Sequence, residues 1–427
     1  MDKWFDDSNM ISTLKDKYRK LWENTPDTFP LQKDHFSTLQ HKEKDAQMNT
    51  FTDEIILLVK RFSNDKGEDS TCWGTTMKKL IYDCGTGVVG LECSSMRLLL
   101  EEGFCDVTSD FIQEAREFDA SIKLDDILQA LRNVWIMNCI QMLMDCNVNM
   151  TQSIFAYSML YPYTDNYLDA LYVSADKKIA VNNRLERKLA GEQPDASTAY
   201  EGKLFALVDM IEGQYVRSKY PMVYKSLLCI QAAQNRSLLQ QDKQLAKSKP
   251  DILGISIEKG GSSVMADACL IKGTLKQEET AFMFGFGVLL QLLDDLQDAA
   301  ADRNNGHQTI FSRPDSERTL ESSTNKLINF ISKVLDEDTC FVSQEALRIK
   351  SMMKKSIMFL LMGATACNSS MYGSSYLHRL EACSPLSFGY LKSFYKRIGR
   401  EYGKLKIKLV VNPLEAPMAK ALAAGVI

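Results

Sequence analysis

The chain has no excess of basic charge: 51 Lys and Arg stand against 55 Asp and Glu, a net charge of −4. Nucleic-acid binders need a basic face, so that class of partner is not expected. No uninterrupted apolar stretch reaches the length that spans a bilayer. The opening, M-D-K-W-F-D-D-S-N-M, carries acids where a signal peptide needs a basic start and an apolar run. A soluble, cytosolic protein is therefore expected. No C-x-x-C pair occurs among the 11 cysteines, at 72, 84, 93, 105, 139, 146, 229, 269, 340, 367 and 383. An odd, scattered set of this kind reads as reduced core thiols rather than a disulfide framework or a zinc site. Sustained period-two alternation is almost absent, which removes a sheet, and there is no internal repeat or low-complexity tract.

Apolar helical spacing is what remains. In L-D-D-I-L-Q-A-L-R-N-V-W, Leu124, Ile127, Leu128, Leu131, Val134 and Trp135 form one face, while Asp125, Asp126, Gln129 and Arg132 take the other. The spacing predicts an all-α fold. Residues 1–50 are polar and broken by Pro26 and Pro30, and read as an extension over the surface. Residues 51–408 then form a single helical domain, and 409–427 a loosely attached tail. The run C-G-T-G-V-V-G places Gly85, Gly87 and Gly90 at dinucleotide-motif spacing, but without the strand and βαβ context that give the motif its meaning.

The densest chemistry lies in D-D-L-Q-D-A-A-A-D-R, residues 294–303. Asp294, Asp298 and Asp302 recur every four residues, so on a helix they share one face over roughly 12 Å of axis. Like charges so placed repel, and a hard divalent cation reverses the sign: oxygen-only ligands suit Mg2+ or Mn2+. The preceding segment is apolar. A T-x-x-Q pattern at Thr274–Gln277 predicts its N-terminus, and Asn304, Asn305 and Gly306 its end. Gly285 and Gly287 inside it cost roughly 1 kcal/mol each relative to alanine, a cost best understood where another helix or a ligand approaches closely.

A second acid pair, Asp165 and Asp169, ends an apolar helix on which Tyr157 and Tyr161 continue the same face; Pro162 predicts a kink or a restart there. In I-S-I-E-K-G-G-S-S-V, Gly260 and Gly261 follow Lys259 and predict a helix break. Such a break opens an anion site at the next helix N-terminus, with Ser262 and Ser263 as caps; a tight turn between two helices fits the same residues. Arg217, on a helix ending V-R-S-K-Y, and Tyr372, Tyr376 and Arg379, in a small-residue segment that reads as a flap, are further candidates. Two carboxylate clusters on facing helices with cations nearby suit metal ions plus a diphosphate, whose departure they would assist. An apolar, aromatic remainder of the pocket would match a hydrocarbon chain and stabilise cations.

In these motifs the sequence resembles the class I isoprenoid synthases. D-N-Y-L-D (165–169) is similar to their first aspartate-rich motif in its D-x-x-x-D form. D-D-L-Q-D-A-A-A-D (294–302) has the spacing of the second terpene-cyclase metal motif, with Asp298 and Asp302 in place of its hydroxyl and glutamate. E-K-G-G-S-S-V is similar to the lysine-bearing helix break that contacts diphosphate. The resemblance spans about residues 70–405 and is greatest to divergent fungal sesquiterpene cyclases of the humulene synthase type. It implies a helical bundle around a central apolar cavity and three Mg2+ ions, with Mn2+ as a substitute. Asp165 and Asp169 would hold two ions and Asp294, Asp298 and Asp302 the third. Lys259, Arg303, Arg217 and Arg379 would bind diphosphate, with Tyr161 and Tyr376 also in the substrate site. The implied reaction is ionisation and cyclisation of a linear prenyl diphosphate, farnesyl diphosphate first, to a sesquiterpene such as a humulene-type macrocycle. A homodimer is left open. The first motif is not D-D-x-x-D, which counts against a chain-elongating synthase, and the absence of D-x-D-D counts against protonation-initiated cyclisation. Head-to-head coupling of the squalene or phytoene synthase type is the alternative enzyme, and a helical interaction protein with acidic or Ca2+-binding patches the non-enzymatic one.

Overall fold

A computed structural model describes residues 9–30, 34–62, 70–101, 103–170, 173–240, 250–312 and 320–411. The described residues are mostly helical, with no strand among them. In chain order the first helices are α1 (Met10–Glu23), α2 (Thr38–Phe62), α3 (Ser70–Cys84), α4 (Cys93–Glu101), α5 (Phe104–Phe118) and α6 (Leu124–Leu143). The middle of the chain forms α7 (Gln152–Asp169), α8 (Ala175–Leu189), α9 (Ala199–Gln214), α10 (Pro221–Ser237) and α11 (Ile252–Lys272). The last third forms α12 (Gln277–Gln297), α13 (Ala299–Asn305), α14 (Leu320–Leu335), α15 (Gln344–Cys367), α16 (Ser374–Glu381) and α17 (Phe388–Val411). None of the described helices is long and apolar enough to cross a membrane. Gly85–Val89 is a single π turn ended by left-handed Gly90, so the G-x-G-x-x-G run has no strand before it.

Helices α11 and α12 stand at the centre. They pack on each other, with α1, α6, α7 and α10 around α11 and α1, α14 and α15 around α12. Apolar patterning explains their place: Ile257, Val264, Met265 and Leu270 of α11, and Met283, Phe284, Leu289 and Leu292 of α12, are buried. Side-chain caps start several helices: Thr151 accepts from the Ile154 N–H at α7, Asp251 from Gly254 at α11 and Ser343 from Ala346 at α15. At α12 the Glu279 carboxylate accepts from the Lys276 N–H at 2.8 Å, so the helix begins two residues later than T-x-x-Q predicts.

Four expectations need correction. The chain does not break at Gly260–Gly261: α11 runs unbroken through both, and Ser262 is a buried mid-helix residue rather than a cap. The glycines serve close packing instead. A Cβ on Gly260 would meet the Gly287 carbonyl, and one on Gly261 the Phe284 ring. Of the two outcomes expected at Pro162, a kink or a restart, the restart does not occur, since α7 is one helix through the proline. The acid-rich helix is interrupted once, at Asp298, between α12 and α13. Finally, residues 1–50 do not merely cover the surface. Met10, Leu14, Tyr18 and Trp22 of α1 lie in the core, Tyr18 against the gap left by Gly285. Most of the proposed tail, residues 412–427, is outside the described residues.

Candidate functional site

The interruption at Asp298 is held from outside by Asn368, the C-cap of α15. Its amide nitrogen donates to the Leu296 and Gln297 carbonyls at 3.0 and 3.2 Å, and its oxygen accepts from the Ala300 N–H at 3.2 Å. Those are backbone groups that a helix end leaves without partners. Across the joint the Asp298 N–H still reaches the Asp294 carbonyl and the Asp302 N–H the Asp298 carbonyl, at 3.0 and 2.8 Å. The four-residue spacing of the acids therefore survives.

Around this stripe the structure gathers α6, α7 and α11. Gln129 of α6 donates to Asp165 of α7 at 3.4 Å. Buried Asp295 accepts from Ser256 of α11 at 2.8 Å and from Gln291 at 2.9 Å. Lys259, one turn after Ser256, stands among them: burial pulls its ammonium pKa down, but Asp165, Tyr161, Asp294 and Asp295 outweigh burial and raise it. The two acid stripes seen in the sequence thus share one cation. Burial, then Asp165, push the Tyr161 phenol up to about 12, with Lys259 opposing.

The acids carry strain of one sign. Burial raises Asp295 to about 6, its two hydrogen bonds opposing and Asp294 adding to the rise. Burial, then Asp298, Asp295 and Asp294, raise Asp302 to about 7. Asp298 is raised too, by burial and Asp294, with Arg132 of α6 opposing. His307 Nδ1 lies 3.8 Å from Asp302. Lys259 and Arg132 do not offset the burial and mutual repulsion that keep these carboxyls protonated, and their oxygens are the donors Mg2+ takes. Among the described residues, no three acidic, imidazole or thiol groups converge closely enough to hold an ion by themselves. Mg2+ usually completes its shell with water and substrate phosphate, so the donor chemistry fits a shared site rather than a closed cage. The Asp169 side chain lies outside the described residues.

Arg303 follows Asp302 on α13 and is exposed. Arg217, Tyr376 and Arg379 go elsewhere. Arg217 donates to the Lys188 and Leu189 carbonyls at 2.9 and 2.6 Å, closing the C-terminus of α8, pairs with Glu212 and stacks on Tyr224. The Tyr224 hydroxyl in turn bonds the Tyr215 carbonyl, and Tyr215 bonds Leu270, 11 residues along α11 from Lys259. Arg217 therefore belongs to the opposite end of the bundle. Tyr376 donates to Asn325 at 2.8 Å and stacks on Tyr372, and Arg379 lies over Phe29. These contacts seat α16 against α14 and the chain after α1, so the flap is packed down.

Sequence reasoning missed Asp295, Ser256, Gln129, Arg132 and Asn368. Ser256 and Lys259, three apart on one helix face, carried a usable signal. Asn368 carried none, since its role is set by a joint 71 residues away. No protein-family model, curated protein or solved structure matches this chain.

Proposed function

We propose that the protein is a class I terpene cyclase, which ionises a linear prenyl diphosphate, farnesyl diphosphate first, and closes the resulting cation to a sesquiterpene such as a humulene-type macrocycle. The observation that carries this reading is Lys259 set among Asp165 of one acid stripe and Asp294 and Asp295 of the other. Asp165 on one side, with Asp169 by resemblance, and Asp294, Asp298 and Asp302 on the other would hold Mg2+. When bound, Mg2+ supplies positive charge that stabilises a departing diphosphate.

The chain's own residues complete that task. Lys259, kept charged by its acidic neighbours, offers a fixed ammonium to the diphosphate oxygens. Asp295 is held by Ser256 and Gln291, so it braces the stripe and leaves outward chelation to Asp294. Tyr161, neutral at working pH, lies within electrostatic reach of Asp165, Lys259 and Asp294, where an aromatic ring would stabilise a developing carbocation through its π electrons.

Incubation of the purified protein with prenyl diphosphates of increasing length and Mg2+, followed by analysis of the organic extract, tests the reading. A cyclic hydrocarbon or alcohol is expected from one chain length; no product from any would overturn it. Lys259→Gln should lower kcat/KM by roughly 100- to 1,000-fold. Asp302→Ala separates the cyclase from head-to-head coupling: full activity without Asp302 would favour the shorter D-x-x-x-D motif.

A further inference from the structure

Helix α17 carries charge of one sign that the acid cluster does not use. It holds seven Lys and Arg against a single acid, Glu401, in a chain whose net charge is −4. Lys392, Lys396 and Arg400 recur every four residues and all three are exposed, and the sequence carries the row on at Lys404 and Lys408. At 3.6 residues per turn these positions wind across one half of the helix. The other half is the packing face: Leu391 is buried, Phe394, Tyr395 and Ile398 are half-buried, and Tyr395 fills the space that a Cβ on Gly363 of α15 would take. Like charges four apart on a helix repel. Among the described residues no acid forms an ion pair with Lys392, Lys396 or Arg400: Asp53 of α2 pairs with Arg397 instead, and Lys392 reaches the Ser369 hydroxyl at 3.3 Å.

Apolar residues accompany this row. Asp45 of α2 accepts from the Ser387 N–H and hydroxyl at 3.1 and 2.6 Å, and Asp53 pairs with Arg397, so α2 runs beside α17 in the same direction. One turn beyond Asp53, Leu57 is 49% exposed. On α17 the sequence of 405–411, L-K-I-K-L-V-V, sets cations between apolar residues. The residues that follow, 412–427, hold one acid and one Lys and so bring no countercharge. A nucleic acid or an acidic polypeptide would answer the charge alone. A bilayer interface answers both features, with anionic headgroups for the cations and hydrocarbon for the side chains between them. No described helix is long and apolar enough to cross a membrane, so such contact would be peripheral.

We propose that α17 is a membrane-docking helix, which lays its basic face on an anionic lipid surface. The inference goes beyond the cyclase reading and does not depend on it. Each Lys or Arg brought to such a surface strengthens partitioning roughly fivefold. Lys392, Lys396 and Arg400 together therefore contribute on the order of 100-fold.

Cosedimentation of the full chain with phosphatidylcholine vesicles, with and without phosphatidylserine, tests it. Wild type should bind the vesicles that contain phosphatidylserine and leave them as salt rises from about 0.1 to 1 M, where the screening length shortens from about 10 to 3 Å. Lys392→Gln, Lys396→Gln and Arg400→Gln combined should lower the partition coefficient roughly 100-fold. The salt dependence of wild type decides the matter by itself if the triple variant fails to fold. Failure to bind phosphatidylserine vesicles, binding that neither phosphatidylserine nor salt alters, or a triple variant that binds like wild type overturns the proposal. So does wild-type protein that ignores the vesicles yet is retained on immobilised polyglutamate, or dimerises through this row at low salt, since the partner is then an acidic polypeptide or a second copy of the chain.

Discussion

At the residue scale, the site is a set of acids held short of the charge they need, and this fixes a pH dependence. Asp295 and Asp302 are raised to about 6 and about 7 from an ordinary value of 3.8. Between about pH 4 and 7 the unfolded chain has released these protons while the folded chain keeps them, so stability falls as pH rises through that window. The metal-free protein should accordingly melt at a lower temperature at pH 7.5 than at pH 5. Asp302→Asn should flatten that slope, raising stability at the upper end by on the order of 1–3 kcal/mol. Thermal unfolding across pH, with and without Mg2+ plus inorganic diphosphate, measures it, and the two added together should also flatten the slope. A pH-independent melting point for the metal-free wild type would remove the electrostatic description of the cluster. The spacing of Asp294, Asp298 and Asp302 was legible because one helix turn is a local property. Asp295 was not: the letters D-D do not say which acid turns inward to Ser256 and which turns out.

At the scale of the element, the hardest signal to read was glycine. Gly260–Gly261 and Gly285–Gly287 stand in two apolar segments 25 positions apart, and the same letters serve for a turn or for contact between helices. The structure answers with contact: Gly260 and Gly287 each leave no room for a Cβ beside the other's carbonyl. Gly287→Ala must push the backbones of α11 and α12 apart, because the obstacle is main chain and cannot rotate away. A loss of roughly 1–3 kcal/mol is expected from urea unfolding, together with weaker binding of diphosphate, since the crossing sets the separation of Lys259 from Asp294. An Ala variant as stable as wild type would refute the close crossing. The joint at Asp298 makes a similar demand. Asn368→Ala frees the Leu296 and Gln297 carbonyls and the Ala300 N–H, and should cost about 1–3 kcal/mol. Asn368→Asp keeps the acceptor for Ala300 but loses both donations, so it should rescue only part. If Asn368 positions the stripe, the KM for Mg2+ rises in the Ala variant more than kcat falls; a purely structural residue would leave that KM unmoved.

For the whole molecule, the helical class followed from periodicity, but its assembly depends on contacts between the ends of the chain. Helix α1 looked like surface because its charged residues dominate, yet every fourth position, Met10, Leu14, Tyr18 and Trp22, is buried. The Tyr18 hydroxyl donates to the Ala281 carbonyl of α12 at 2.6 Å, and its ring covers Gly285. Lys15 lies 3.4 Å from Glu258, which also pairs with Arg236 of α10, and Arg19 pairs with Asp251 at the start of α11. Trp22 meets Phe330 of α14 edge-on at 5.4 Å and lies under the Lys326 ammonium, whose nitrogen also bonds the Glu23 carbonyl. The first helix therefore braces the backs of α11 and α12, the two helices whose front faces carry Lys259 and the acid stripe. Trp22→Ala should cost roughly 3–5 kcal/mol, read as a lower urea midpoint at unchanged slope. Under conditions where the variant is still folded, its affinity for Mg2+ with diphosphate should fall as well, because the brace and the site share the same pair of helices. A lowered midpoint with wild-type affinity would make α1 a stabiliser without influence on the site, while an unchanged midpoint would show that it rests on the bundle without supporting it.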